Sequence, residues 1–109
     1  MENCIFCKIA RGEVSTDFIY NDDEIMAFKD INPVKPVHVL IVPKRHIPEL
    51  IAVDDVLLLG KLLKVTQQLV TRFEIADKGY RVIINGGGAQ EIDHLHIHLI
   101  GPMGSRAAL

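Results

Sequence analysis

Polar and apolar positions alternate or cluster in five short stretches, and one longer stretch repeats its apolar residues at helical spacing. Residues 17–21 and 24–29 read as two strands around a turn at Asp22-Asp23. Residues 37–42 form a β-branched run that Pro43 stops. Residues 80–85 and 92–100 complete the strands, the last ended by Gly101-Pro102. From about residue 53 to 74, Leu59, Leu62, Leu63, Thr66, Leu69, Val70 and Phe73 recur at i, i+3, i+4 and i+7, which predicts an amphipathic helix. Asp54 or Asp55 is placed to accept the free N–H groups at its start. Residues 4–11 predict a short N-terminal helix closed by Gly12, and residues 32–36, with two prolines, a loop. Five mostly sequential strands with one long helix predict an α+β fold with a largely antiparallel five-stranded sheet, in one domain over 1–109.

Composition narrows the setting. The chain has 109 residues, 49% of them hydrophobic and 24% charged, with a formal net charge of −2. A chain of this size buries roughly two-thirds of its unfolded surface, so one core needs no covalent staple. No basic run is dense enough for a nucleic-acid footprint, Lys44-Arg45-His46 being the one short cluster, so no nucleic-acid partner is expected. No apolar run approaches the ~20 residues that cross a bilayer, so no membrane partner is expected. The stretch Met1-Glu2-Asn3-Cys4 lacks the basic and apolar regions of a secretory signal. A cytoplasmic location is therefore expected, where two cysteines are thiols or metal ligands before they are a disulfide.

Three of the five histidines, His94, His96 and His98, stand at period two. On a strand they share one face while Leu95, Ile97 and Leu99 pack behind. The readings open at this point are a solvated polar face, a three-imidazole metal site, and a centre for phosphoryl or nucleotidyl transfer. The last suits imidazole well: one neutral ring attacks while another group carries positive charge to the phosphate oxygens. The adjacent Gly86-Gly87-Gly88-Ala89 carries no bulky side chain and is able to bring backbone N–H groups near a phosphate.

The run His94-Leu95-His96-Ile97-His98-Leu99-Ile100 resembles the motif of the histidine triad (HIT) family, in its nucleoside phosphoramidase branch. The resemblance extends to Cys4-Ile5-Phe6-Cys7-Lys8-Ile9, to residues 27–33, to residues 36–47 and to Arg81-Val82-Ile83-Ile84-Asn85, so it covers most of the chain. It implies a HIT-like fold and a hydrolase that cleaves purine nucleoside 5′-phosphoramidates, or acyl-adenylates, to the nucleoside monophosphate through a covalent nucleotidyl-histidine, without metal in the chemistry. His96 is then the nucleophile, and His98 and His38 contact the phosphate. Asp30 binds the ribose hydroxyls. Ile5, Phe6, Ile9, Phe28 and Ile31 form the slot for the base, and Asn85 and Gln90 lie near the phosphate and leaving group. Read as plain sequence, Asp30 is equally a turn residue and the apolar residues equally core. Glu91 departs from the small hydroxyl residue frequent there in relatives, which bears on the leaving group.

With His96, His98 and His38 assigned by that resemblance, His46 and His94 remain beside a Cys-x₂-Cys pair. Cys4, Cys7, His46 and His94 match the ligands of a structural Zn²⁺ in some relatives; two buried thiols or a redox pair are the other readings. If they do bind zinc, a twist or bulge must turn His94 away from the face of His96. The resemblance further implies a twofold homodimer. The chain holds no tryptophan, so its tail lacks the tryptophan-containing end of many relatives, and altered substrate selectivity is expected. The functional alternatives are a dinucleoside polyphosphate hydrolase, a nucleotide-binding interaction module with little catalysis, and a zinc-binding structural protein.

Overall fold

The computed structural model describes residues 3–109; the first two positions of the expected domain, and of the stretch read for a targeting signal, lie outside the described residues. The elements are α1 (Ile5–Ala10), β1 (Tyr20–Asn21), β2 (Ile25–Lys29), β3 (Val37–Pro43), α2 (Val56–Arg72), β4 (Arg81–Ile84) and β5 (Ile97–Gly101), with a single 3₁₀ turn at Leu50–Ala52. All strands pair antiparallel in the order β1-β2-β3-β5-β4. The α+β expectation holds.

The sheet has two covered faces. Ile25, Ala27, Val39, Ile41, Ile97 and Leu99 alternate onto one face, where Leu58, Leu62, Val65, Leu69 and Val70 of α2 meet them. On the other face Met26, Phe28, Leu40 and Val42 pack against Phe6 and Ile9 of α1. The histidines lie on that second face. A strand with both faces buried has few polar positions, and β3 is buried from His38 to its end.

Several boundaries differ from the sequence reading for local reasons. The long helix starts at Val56, not near 53, because the side chain of Asp55, not Asp54, accepts from Leu57 N–H and Leu58 N–H. Its buried stripe is Leu58, Leu62, Val65, Thr66, Leu69 and Val70. The expected members Leu62, Thr66, Leu69 and Val70 are buried, whereas Leu59 and Phe73 are only partly buried and Leu63 is exposed, so the stripe leans toward Leu58 and Val65 by less than one residue. β1 keeps only Tyr20–Asn21 of residues 17–21. Residues 50–52, to which the sequence pattern assigns no element, make the 3₁₀ turn.

The largest correction concerns the histidine segment. β5 begins at Ile97, not at 92, so His94 and His96 are not in a strand. The β3–β5 register pairs Ile41 with Ile97, and its continuation sets Leu95 against Pro43. Proline has no N–H to give the ladder. Its carbonyl is taken by the His94 ring at 2.7 Å, and Leu95 N–H instead donates to Ile47 O at 2.7 Å. The expected alternation nevertheless persists in space, since Leu95, Ile97 and Leu99 all enter the α2-side core.

Candidate active site

His38 and His98 meet across the β3–β5 pair. In the register His38 opposes Ile100 and Leu40 opposes His98, so the two rings are diagonal neighbours on one face. The backbone fixes their tautomers. Val34 N–H donates to His38 Nδ1 at 3.1 Å, which leaves the proton on Nε2. That Nε2–H donates to His98 Nδ1 at 2.9 Å, which leaves the second proton of this chain on His98 Nε2. His96 is set separately. Its Nδ1–H donates to the carbonyl of His94 at 2.7 Å, so Nε2 carries the lone pair. The ring centroids of His96 and His98 stand 5.0 Å apart. A bare imidazole nitrogen thus sits beside a ring whose outer nitrogen bears hydrogen. Burial holds the His98 pKa below its ordinary value, and the neighbouring His96 and His38 lower it further.

A cleft of about 210 Å³ opens onto these rings, lined by His96 and His98 at one end and by Ile5, Phe6, Ile9, Phe28, Asp30 and Ile31 along its length. Every apolar residue assigned to the base slot therefore reaches one cavity. Phe6, Ile9 and Phe28 are also buried core, so for them the two sequence readings coincide. Ile31 is different: 91% exposed, it has no core role, and a rim position on an apolar slot accounts for it. Asp30 turns one carboxylate oxygen to Asn32 N–H at 2.8 Å and sets the other 3.3 Å from His38 Nε2. Glu91 lines the cleft too.

Asn85 and Gln90 do not line this cleft. Gln90 is held in its own loop, accepting from Gly88 N–H at 3.0 Å and donating to Asp93 at 3.2 Å. The glycine loop is likewise engaged within the protein, since Gly87 N–H donates to the Glu49 carboxylate at 3.0 Å. Of the amides expected near a phosphate, two already have side-chain acceptors.

Cys4, Cys7, His46 and His94 bring four ligand atoms within 4.8 Å of one another. Cys4 Sγ and Cys7 Sγ lie 3.3 and 3.6 Å from His94 Nδ1, and Cys7 Sγ lies 3.3 Å from His46 Nδ1. Tetrahedral zinc sets its sulfur and nitrogen ligands about 3.5 Å apart, so the residues fit that ion. Further support comes from His94. Its Nε2–H donates to Pro43 O, leaving Nδ1 bare toward the thiols, the arrangement metal-binding histidines use. Burial pushes the Cys7 thiol pKa up, and the adjacent Cys4 pushes it further; a dication there favours the thiolate. No bulge turns His94 aside. The irregular backbone at 92–96 does so.

Two contributors carried no sequence signal. Val34 and Pro43 act through main-chain N–H and C=O groups, which every residue type offers. Leu40 and Ile92, which also line the cleft, read as ordinary core.

Comparison with known proteins places these features in context. The HIT domain model matches residues 11–104, a span that holds all five histidines and begins after both cysteines. Protein HitA of Neisseria gonorrhoeae is 43% identical over 93% of this chain and 97% of its own. Purine nucleoside phosphoramidase of Escherichia coli is 39% identical, covering 98% of this chain and 95% of that protein. The crystal structure of a HIT family hydrolase from Legionella pneumophila superposes with a TM-score of 0.86 at 39% identity, covering 97% of this chain and all of that one.

Proposed function

The chain belongs to the HIT domain family, and from that membership we propose that it hydrolyses purine nucleoside 5′-phosphoramidates or acyl-adenylates to the nucleoside monophosphate. The observation that carries the reading is the tautomer of His96. With Nδ1–H held by the His94 carbonyl, Nε2 is a free nucleophile facing a cleft sized for a small ligand.

The steps follow from the same hydrogen bonds. The nucleoside lies in the apolar slot, with Asp30 accepting from the ribose hydroxyls. His96 Nε2 attacks phosphorus in line while the phosphorus–nitrogen bond to the leaving amine breaks; the amine takes a proton from solvent water as it leaves, and the water that later hydrolyses the adduct returns one. His98 Nε2–H donates to a phosphoryl oxygen, where charge builds. His38 orients His98 through its own Nε2–H. Water then attacks the nucleotidyl-histidine, freeing the nucleotide and restoring His96. Glu91 at the cleft favours an amine leaving group over a polyphosphate, and the phosphoramidate over the acyl-adenylate, because a carboxylate repels an anionic leaving group and accepts from or pairs with an ammonium. On this reading Asn85 and Gln90 contribute at the leaving-group side, outside the nucleoside slot.

Cys4, Cys7, His46 and His94 would hold a structural zinc ion that ties α1 to the histidine segment. The chain would act as a homodimer. Strand β4 is a sheet edge, and beside it Leu50, Leu63, Tyr80 and Val82 are exposed, an apolar border that a second copy would cover.

The test is release of AMP from adenosine 5′-phosphoramidate by wild type and by His96→Ala. The variant is expected to bind AMP but not to turn over. An acid quench of wild type should trap a nucleotidyl adduct visible by mass spectrometry. Normal turnover in His96→Ala would refute the assigned nucleophile.

A further inference from the structure

His94 belongs to two assemblies at once. Its ring, fully buried, is gripped by Pro43 O on Nε2 and faces both thiols on Nδ1. Its backbone carbonyl, on the same residue, is the acceptor that sets the His96 tautomer. Phe6 makes a second link. It lies between the ligands Cys4 and Cys7, and its ring stands edge-on to His94 at 5.6 Å and to His96 at 5.2 Å. Helix α1, which carries Phe6, has six residues, too few to hold a helix without outside support. The placement of Phe6 therefore depends on what α1 is anchored to.

We propose that the Cys4–Cys7–His46–His94 centre, when it holds a divalent metal ion, is the positioning device for His96: it fixes the His94 carbonyl and the Phe6 ring, and through them the tautomer and orientation of the reacting imidazole. The proposal rests on the zinc and nucleophile readings above. The metal takes no part in the chemistry and touches neither substrate nor His96. Without it, four donors lose their common partner and α1 keeps only thiol–imidazole contacts and its own apolar face. The His94 peptide is then free to shift. A His96 ring without that acceptor populates the Nε2–H tautomer, which has no lone pair at the attacking nitrogen. It also rotates away from the in-line position, and misplacement on the scale of 1 Å costs on the order of 100-fold in rate.

The experiment uses the whole chain, loaded with zinc, stripped by a chelator, and reloaded. Long-range proton–nitrogen NMR of the imidazoles reads the tautomer, and kinetics on adenosine 5′-phosphoramidate reads kcat and KM separately. The zinc-loaded protein should show His96 as one Nδ1–H tautomer. Stripping should mix its tautomers and lower kcat by about 10–100-fold with little change in KM, and reloading should restore both. Phe6→Leu, which keeps all four ligands, should retain zinc yet give a partial loss of kcat and mixed tautomers. If stripping unfolds the chain, the tautomer in Phe6→Leu decides: mixed His96 tautomers uphold the link, and a single Nδ1–H tautomer overturns it. A stripped protein with an unchanged His96 tautomer and unchanged kcat would overturn the coupling. A protein that never takes up stoichiometric zinc would overturn it by removing the metal reading. An active His96→Ala would instead strike the nucleophile reading, and the tautomer measurement would still report on the coupling.

Discussion

His98 shows how much of a side chain's chemistry comes from its surroundings. Half-buried beside two other imidazoles, it has a pKa held below its ordinary value, by desolvation first and by those rings second. As pH falls, a histidine with a depressed folded pKa takes up its proton in the unfolded chain before it does so in the folded one. Its stabilising contribution is therefore complete above the unfolded value of 6.5 and is lost as pH falls from there to the folded pKa. Denaturant unfolding of wild type between pH 8 and 5 should show this slope, and His98→Asn should show a smaller one; equal slopes would sink the assignment. Asp30 is a test of ribose binding. Asp30→Asn should raise KM by about 10–100-fold, from loss of hydrogen bonds to a charged acceptor, with a much smaller change in kcat. At this scale the sequence was highly informative. His94, His96 and His98 announced themselves by spacing, but only His98 proved to lie in the strand that spacing predicted, because Pro43 ends the ladder opposite Leu95.

At the scale of elements, the caps and the punctuation set the frame that the site uses. Asp55 accepts two N–H groups of α2 at 3.0 and 3.2 Å, so Asp55→Ala should cost about 0.5–2 kcal/mol of stability, measurable by thermal or urea unfolding, while Asp54→Ala should leave it nearly unchanged. Leu62, Thr66, Leu69 and Val70 are buried as the sequence reading expected, but Leu58 is buried in place of Leu59, because Val56 to Leu59 is apolar at every position. Periodicity cannot choose the buried face in such a run until the cap fixes the first turn. The short helix α1 was foreseen nearly in extent, and Ile5, Phe6, Ile9 and Cys7 were given roles, but the edge-on packing of Phe6 on His94 and His96 was not foreseen. A six-residue helix has meaning only through what it packs on, here Phe28, Leu40 and the two rings His94 and His96.

At the scale of the molecule, one sheet separates two tasks. Helix α2 and its apolar core build one face, and the histidine-lined cleft and cysteine–histidine cluster occupy the other. No helix among the described residues is long and apolar enough to cross a membrane. The apolar border of β4 and α2 predicts that sedimentation at micromolar concentration will find a dimer, and that Leu63→Glu, on the exposed side of α2, will shift it to monomer without unfolding it. A wild-type chain that sediments only as monomer contradicts that prediction.

The sequence by itself determined the family, the antiparallel α+β architecture and the identities of the histidines and cysteines, because those follow from residue type, order and period. Only the tertiary structure decided which nitrogen of His38, His94, His96 and His98 carries the proton. That depends on the carbonyl of His94, the amide of Val34 and the carbonyl of Pro43, groups common to nearly all residues and distinguished only by where the chain brings them. The opening three histidines at one period thus become two chemical settings, because a ladder ended by proline lets one ring turn to the thiols while the next faces the cleft.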